Sequence, residues 1–456
     1  MKTASILLAA GLGKRMRSAL PKMLHPVLGK PIVLHALAAV QPLADLPPVV
    51  VVGYGAEAVV SAVVAAFGEG ARFALQAEQL GTGHAVRCAQ PLLEGEADEV
   101  LVTFADMPLL REGTLREILA TRREQDAVLT MASVIGDVPR GFGRVVRDDA
   151  GRVVAIVEEA VATPEQLAIR EYNISAYCFS AEWLWEHLAQ LKVSPKGEYY
   201  LTDLVGMAVA EGRPVESVVL SDPLEGLGIN DRVDLAACEK AMCQRVNTAW
   251  MLAGVTLNDP DRTVIGTDVR IGQDTVILPN TYLLGNTTIG ANCVIGPDTT
   301  LRDTHVGDNC HIQNSVAEQA EIGNCVSMGP FCHLRKGAVL KDHVHLGNFG
   351  EVKDSTLDEN TKMGHFSYIG NAQIGKNVNI GAGTITCNFD GKHKNPTEIG
   401  DNTFIGSDTM LVAPLKIGKD AATGAGSVVT HDVPDGGLVV GVPARPFARK
   451  EERDRQ

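Results

Sequence analysis

Residues 264–301 read VIGTDVRIGQDTVILPNTYLLGNTTIGANCVIGPDTTL, and an aliphatic side chain falls at every sixth position: Ile265, Ile271, Ile277, Leu283, Ile289, Ile295 and Leu301. Glycine follows four of them, at Gly266, Gly272, Gly290 and Gly296. A helix buries side chains with a period near 3.6 and a hairpin strand with a period of two, so neither explains this beat. Six residues is the repeat of a parallel β-helix, where short strands stack coil upon coil and one aliphatic side chain per strand enters the core. The beat runs on through Ile322, Met328, Leu334, Leu340 and Leu346, and returns at Ile399, Ile405, Leu411 and Ile417. Three strands per coil make about 18 residues, so the stretch from about 264 to 430 predicts roughly nine coils. Between Cys387 and Glu398 the beat gives way to Asn, Asp, Gly, Lys and Pro, which predicts a loop projecting from the solenoid.

The first half has no such beat and reads as a separate domain. Residues 4–10 form an apolar strand pattern, repeated at 49–52 and 100–104, and helical stretches such as 56–67 alternate with these runs. This rhythm predicts an α/β domain over 1–230 with a Rossmann-like parallel sheet and ligand loops at its carboxyl edge. Residues 231–253 read as a linker helix ending by Gly254, and residues 254–456 as the β-helix with its tail, which carries the charge run RKEERDR. A long prism with flat faces and open ends predicts self-association.

Composition narrows the function. With 41 basic and 55 acidic residues the formal charge is −14, which argues against a nucleic-acid surface while leaving room for local phosphate pockets. The nine cysteines are odd in number and contain no CxxC pair, so reduced thiols in a cytoplasmic protein fit better than disulfides. The short apolar run after Met1 and Lys2 lacks a small-residue cleavage site, and no stretch approaches a membrane span.

The loop LAAGLGKRMRSALPK, from Leu8 to Lys22, places Gly11 and Gly13 beside Lys14, Arg15 and Lys22. Glycines let backbone approach a phosphate and the cations offset charge on a transferring phosphoryl group; taken alone, the same glycines serve as a simple turn. The loop is neither a Walker A motif nor a GxGxxG fingerprint. Asp106 in ADMPL follows an apolar strand, where an open α/β sheet keeps ligand groups, although a lone strand-end Asp also caps helices and forms turns. In KMGHFSYIG, His365 has the near-neutral imidazole suited to taking a proton from an attacking amine, and His333, His343 and His345 compete with it on composition alone.

The leading loop resembles the signature of sugar-phosphate nucleotidyltransferases. Over nearly its full length the chain resembles the bacterial bifunctional N-acetylglucosamine-1-phosphate uridylyltransferase/glucosamine-1-phosphate N-acetyltransferases. That resemblance implies that Leu8, Gly11 and Lys22 hold UTP, with Arg15 and Lys22 neutralising charge, and that Asp106 and Asn230 of GLGIND bind Mg²⁺. It implies that Gln76, Gly81 and Thr82 of QAEQLGTG read uracil, and that Gly143, Glu158 and Asn173 contact the amino sugar. In the second half it selects His365 as general base. Arg335, Lys353, Tyr368 and Asn379 then hold the sugar phosphate and ring, with Lys394 assisting, and Asn388 orients the amino sugar or acetyl donor. Ser407, Ala425 and Arg445 are implied on the acetyl-CoA side. Three positions depart from the family pattern: Lys14 stands for Thr, Ala105 for Gly, and Gly441 for the Arg preceding Val442 and Pro443. The implied activity is synthesis of UDP-N-acetylglucosamine by acetyl transfer to glucosamine 1-phosphate and uridylyl transfer to N-acetylglucosamine 1-phosphate. A left-handed β-helix and a homotrimer are implied with it. The competing reading is a single-activity hexose-1-phosphate nucleotidyltransferase whose β-helix is structural or regulatory.

Overall fold

The computed structural model describes residues 1–136 and 141–447, so the charge run at 449–455 lies outside the described residues. The chain divides into two compact units, Met1–Met242 and Cys243–Gln456.

The first unit is built on one sheet. Its strands are β1 Thr3–Leu8, β2 Val49–Val52, β3 Arg72–Leu75, β4 Glu99–Phe104, β5 Leu129–Ile135, β6 Arg144–Arg147, β7 Val153–Val157, β8 Glu171–Ser180 and β9 Val215–Val219. The order across the sheet is β9-β5-β8-β4-β1-β2-β3, with the β6–β7 hairpin attached to β8. Every residue of β1 and β2 is buried, as central strands covered on both faces require. Pairings β1–β2, β1–β4, β2–β3 and β5–β9 are parallel, whereas β8 runs antiparallel to β4 and β5. The purely parallel sheet expected from the alternating rhythm is therefore mixed. A parallel return needs a crossover, usually a helix, and between β5 and β8 the chain makes a hairpin instead. Leu8 lies opposite Phe104, so the loops leaving β1 and β4 emerge side by side at the carboxyl edge. Helix Arg232–Leu252 spans the boundary between the units.

The second unit is a parallel β-helix of hexapeptide repeats; among the described residues its three faces hold twelve, ten and nine strands, the last of the twelve, Arg445–Pro446, turning back antiparallel on Leu438–Val440. The first face starts at Thr256–Leu257, the second at Val264–Ile265 and the third at Arg270–Ile271. The beat residues are buried in one continuous core, with Ile265, Ile277, Leu283, Ile295 and Leu301 at 0% exposure. Where the six-residue beat skips between Leu301 and Ile322, the core positions fall at Val306, Ile312 and Ala317, because the corners before Val306, Ala317 and Ile322 are each one residue shorter. Corner threonines close their own turns: Thr281, Thr287 and Thr384 donate Oγ1 to the carbonyls of Leu278, Leu284 and Gly381 at 2.7 Å each. Asn292, Asn309, Asn360 and Asn377 occupy left-handed corner positions, which asparagine tolerates better than most side chains. Residues 388–396 form the excursion expected between Ile385–Cys387 and Thr397–Ile399. Among the described residues no helix is long and apolar enough to cross a membrane.

Candidate functional site

In the first unit, the loop after β1 folds back upon Lys22. Gly13 has φ +60°, and a Cβ there would sit 2.7 Å from Lys22 Cβ, so glycine is what lets the loop close. Gly11 has open space where a Cβ would be. Lys22 Nζ donates to Asp106 Oδ2 at 2.6 Å and to the Ile229 carbonyl at 3.0 Å. Arg15 Nη2 donates to Asn230 Oδ1 at 2.8 Å. Asp106 and Asn230 come from distant loops, joined where the Ile229 amide donates to the Asp106 carbonyl at 2.9 Å. Buried Glu225 staples the same two loops, accepting from the Arg111 amide at 2.9 Å and Thr114 Oγ1 at 2.7 Å.

These groups border a cavity of about 510 Å³. Leu8, Gly11, Lys22 and Asp106 line its phosphate-loop side, Gln76, Gly81 and Thr82 a second wall, and Gly143, Glu158 and Asn173 a third. Arg15 and Asn230 stand outside the lining and reach it through the bonds above. Gly81 has φ +98°, and a Cβ would approach the Tyr199 carbonyl to 2.6 Å; its own carbonyl accepts from Gln76 Nε2 at 3.0 Å. Thr82 Oγ1 accepts from the Leu201 amide at 3.0 Å, tying segment 199–201 to the same wall. Thr202 Oγ1 donates to Glu158 Oε1 at 3.0 Å. Burial pushes the Glu158 carboxyl above its ordinary value, with the Thr202 hydroxyl acting the other way. Asn173 is 3% exposed and donates to Tyr177 Oη at 2.6 Å, where β8 bulges between Asn173 and Tyr177. Sequence reasoning missed Tyr177, Glu198, Tyr200 and Thr202, all of which line the cavity. The string EYYLTD at 198–203 carries the signal, since polar and aromatic side chains recur there at alternate positions.

The oxygens of Asp106 and Asn230 already hold cationic nitrogens, so this donor set suits a hard divalent ion. Among the described residues there is no cluster of three or more His, Cys, Asp or Glu able to hold a metal by itself. Such an ion would complete its shell with substrate oxygens and water.

In the second unit the expected residues spread along one face and its two edges, apart from Asn379, which lies on another face. On the second face Glu351 and Tyr368 are in register, and Arg335 Nη1 donates to Glu351 Oε1 at 3.0 Å. Lys353 ends the Gly350–Lys353 strand, and the neighbouring Lys394 amine, helped by Arg335, pushes its pKa down. Asn388 is 6% exposed; it donates Nδ2 to Asn371 Oδ1 at 2.7 Å and accepts from the Asn395 amide at 2.7 Å, anchoring the excursion that carries Lys394. The Tyr368 hydroxyl and the Asn388 amide flank Gly370. Arg335, Lys353, Tyr368, Asn388 and Lys394 are thus brought to one region.

His365 and Ser407 lie on the edge between the first and second faces. Corners there stack in the order Phe366, Gly383 and then Ala382, Asp408 and then Ser407, Gly426, through amide–carbonyl bonds of 2.7, 2.6 and 2.8 Å. His365, Ser407 and Ala425 therefore share one line, with Ala382 between the first two. His365 is exposed. The same edge carries Phe331, Phe349 and Phe366, exposed at 58%, 56% and 56%, with the first two rings stacked at 5.3 Å. Asn379 is separated from this group: it sits exposed on the first face, in register between Lys362 and Phe404. Gly441 to Arg445 pass beside the Ala425 corner, where the Val428 amide donates to the Gly441 carbonyl at 3.1 Å and the Ala444 amide to the Val428 carbonyl at 2.9 Å. Burial pushes the Cys387 thiol up, the opposite of an activated nucleophile.

Comparison with known proteins covers both halves. The family model of the MobA-like NTP transferase domain matches residues 5–200, and that of the bacterial transferase hexapeptide (six repeats) matches 268–303 and 396–431. The Bifunctional protein GlmU of Pelobacter propionicus is 46% identical over 439 residues, 96% of this chain and 95% of the relative. Proteins of the same name from Heliobacterium modesticaldum (46% over 440 residues, 96% and 95%) and Lactococcus lactis subsp. lactis (47% over 442 residues, 97% and 96%) match equally fully. At that identity across both units, the chain belongs to the GlmU family of bifunctional proteins.

Proposed function

We propose that the chain makes UDP-N-acetylglucosamine with one activity in each unit. It is a bifunctional transferase, acetylating glucosamine 1-phosphate and uridylylating N-acetylglucosamine 1-phosphate. The observation that carries the reading is the first unit's cavity, whose walls gather the residues expected for phosphate, uracil and amino sugar. In uridylyl transfer the sugar 1-phosphate oxygen attacks the α-phosphorus of UTP and pyrophosphate leaves, so alignment and charge neutralisation suffice without a protein nucleophile. Backbone at Gly11 and the cations of Arg15 and Lys22 hold the phosphates, Gln76 faces the base, and Glu158 and Asn173 accept and donate to sugar hydroxyl and amide groups. Asp106 and Asn230 would hold Mg²⁺, which when bound neutralises charge on the phosphates.

In the second unit Arg335, Lys353 and Lys394 concentrate positive charge for the phosphate of glucosamine 1-phosphate, and the mutual repulsion of Lys353 and Lys394 is relieved by a dianion. His365 takes the amine proton as the amine attacks the thioester carbonyl of acetyl-CoA, and coenzyme A leaves as its thiol. Ser407 donates to the carbonyl oxygen as it gains charge, with Ala425, Arg445 and Asn388 completing the acetyl-CoA side. Asn379 lies on another face, and among the described residues no wall covers the edge on which His365 is exposed. The exposed Phe331, Phe349 and Phe366 beside it support closure by neighbouring copies in a homotrimer of left-handed solenoids. The odd count of nine cysteines, with no CxxC pair among them, supports a cytoplasmic setting.

The test supplies glucosamine 1-phosphate, acetyl-CoA, UTP and Mg²⁺ together and follows free thiol, pyrophosphate and UDP-N-acetylglucosamine. Omitting UTP should leave thiol release intact and stop pyrophosphate. A preparation that uridylylates a hexose 1-phosphate but never releases thiol would refute the acetyltransferase half.

A further inference from the structure

One carboxylate oxygen of Asp106 and the side-chain oxygen of Asn230, the pair expected to hold the metal, each accept a hydrogen bond from a cation of the phosphate loop. Lys22 Nζ sits 2.6 Å from Asp106 Oδ2 and Arg15 Nη2 sits 2.8 Å from Asn230 Oδ1. The Lys22 and Asp106 side chains are 9% and 21% exposed, so the first pair is largely withdrawn from water. Lys22 is further fixed by the Ile229 carbonyl at 3.0 Å, on the segment that presents Asn230.

We infer that Lys22 and Arg15 act as stand-in cations that exclude a free divalent ion from Asp106 and Asn230 until a nucleoside triphosphate draws them away. The inference rests on reading Asp106 and Asn230 as metal ligands. A free ion approaching Asp106 meets an ammonium already within hydrogen-bond distance, and two cations cannot share one carboxylate oxygen without strong repulsion in a partly dehydrated site. A triphosphate offers Lys22 and Arg15 a competing anionic partner of higher charge. Once they turn toward it, the two oxygens are exposed beside the phosphates, where an ion can bridge protein and nucleotide. Metal and triphosphate are therefore coupled positively, and each raises the affinity of the other by the same factor. The arrangement also keeps the site from being filled by a metal in the absence of substrate.

The experiment measures Mn²⁺ binding to the full chain by electron paramagnetic resonance, without nucleotide. Wild type, Lys22→Met, Arg15→Met and the double variant Lys22→Met/Asp106→Ala are compared, with calorimetric melting to verify that each is folded. Lys22→Met should bind Mn²⁺ on the order of tenfold or more tightly than wild type, because the competing state is removed. Arg15→Met, at an exposed position, should shift binding in the same direction by less, and the Lys22→Met gain should vanish in the double variant. Binding to Lys22→Met and Arg15→Met no tighter than to wild type, but dependent on Asp106, would overturn the exclusion and leave the metal ligands standing. A gain that persists without Asp106 would overturn the metal reading and the inference with it.

Discussion

The two units solve the same problem, holding a sugar phosphate beside an activated donor, with opposite geometry. The sheet sends loops from β1, β3, β4 and β7 to one concavity that strand β8 also lines, so residues as far apart as Lys22 and Asn173 share a single cavity within one chain. The solenoid instead sets its residues in rows. Tyr368 and Lys353 stand on a face, His365 and Ser407 along its edge, and Asn379 beyond that edge. A flat face offers one wall, so on the proposed reading a neighbouring copy supplies the rest of the site, where the sheet's cavity lies within one unit. That contrast predicts that the first activity is a property of the chain and the second a property of the assembly.

The largest effects should separate the units cleanly. Asp106→Ala should lower uridylyl transfer by on the order of 10³-fold or more while acetyl transfer stays near wild type, since the carboxylate is the charged member of the expected metal pair. Pyrophosphate release at an undiminished rate would break the comparison at its first term. His365→Ala should lower acetyl transfer by roughly 10²–10⁴-fold, the range of a lost general base, with uridylyl transfer retained. Equal loss of both activities would point to misfolding. A smaller change is expected from Lys353→Met, which removes one charge-assisted phosphate contact: KM for glucosamine 1-phosphate should rise roughly 10–100-fold with kcat little altered. A change confined to kcat would place Lys353 elsewhere in the reaction.

The smallest effect concerns pH. Burial raises the Glu158 carboxyl, so folding favours its protonated form. Its contribution is fully present below the ordinary carboxylate range and is lost as pH rises through the raised value. Glu158→Gln, neutral throughout, should therefore melt close to wild type near pH 4, and by about 2–4 °C higher than wild type at pH 7 in the transition of the first unit. A gap that widens toward acid would reverse the sign and with it the burial argument.

Much of this contrast was legible in the residues. The beat from Ile265 to Leu301 specifies a β-helix because no other common structure buries one aliphatic side chain in six, and the interruption after Cys387 marks the excursion carrying Lys394. The runs at 4–10, 49–52 and 100–104 correspond to β1, β2 and β4. The antiparallel course of β8 was not legible, because its apolar pattern is the same whichever way it runs and only the intervening hairpin decides direction. The shortened corners before Val306, Ala317 and Ile322 hid three coil positions, Val306, Ile312 and Ala317, from a strict period of six. In the cavity, Tyr200 and Thr202 escaped notice because their role depends on segment 199–201 being tied to Gly81 and Thr82, a contact that spacing alone does not reveal. The stacking of His365, Ser407 and Ala425 follows from coil register, which becomes visible once each corner is counted.

The central claim is that one chain completes the uridylyl site and neighbouring copies complete the acetyl site. Phe349 is 56% exposed on the edge that carries His365, stacked on Phe331, so Phe349→Asp places a charge where copies are proposed to meet. Sedimentation of this variant, with both activities assayed on the same fractions, tests the claim directly. The account predicts a 48.5 kDa species with full uridylyl transfer and acetyl transfer lost. A 48.5 kDa species that acetylates glucosamine 1-phosphate at the wild-type rate would contradict it.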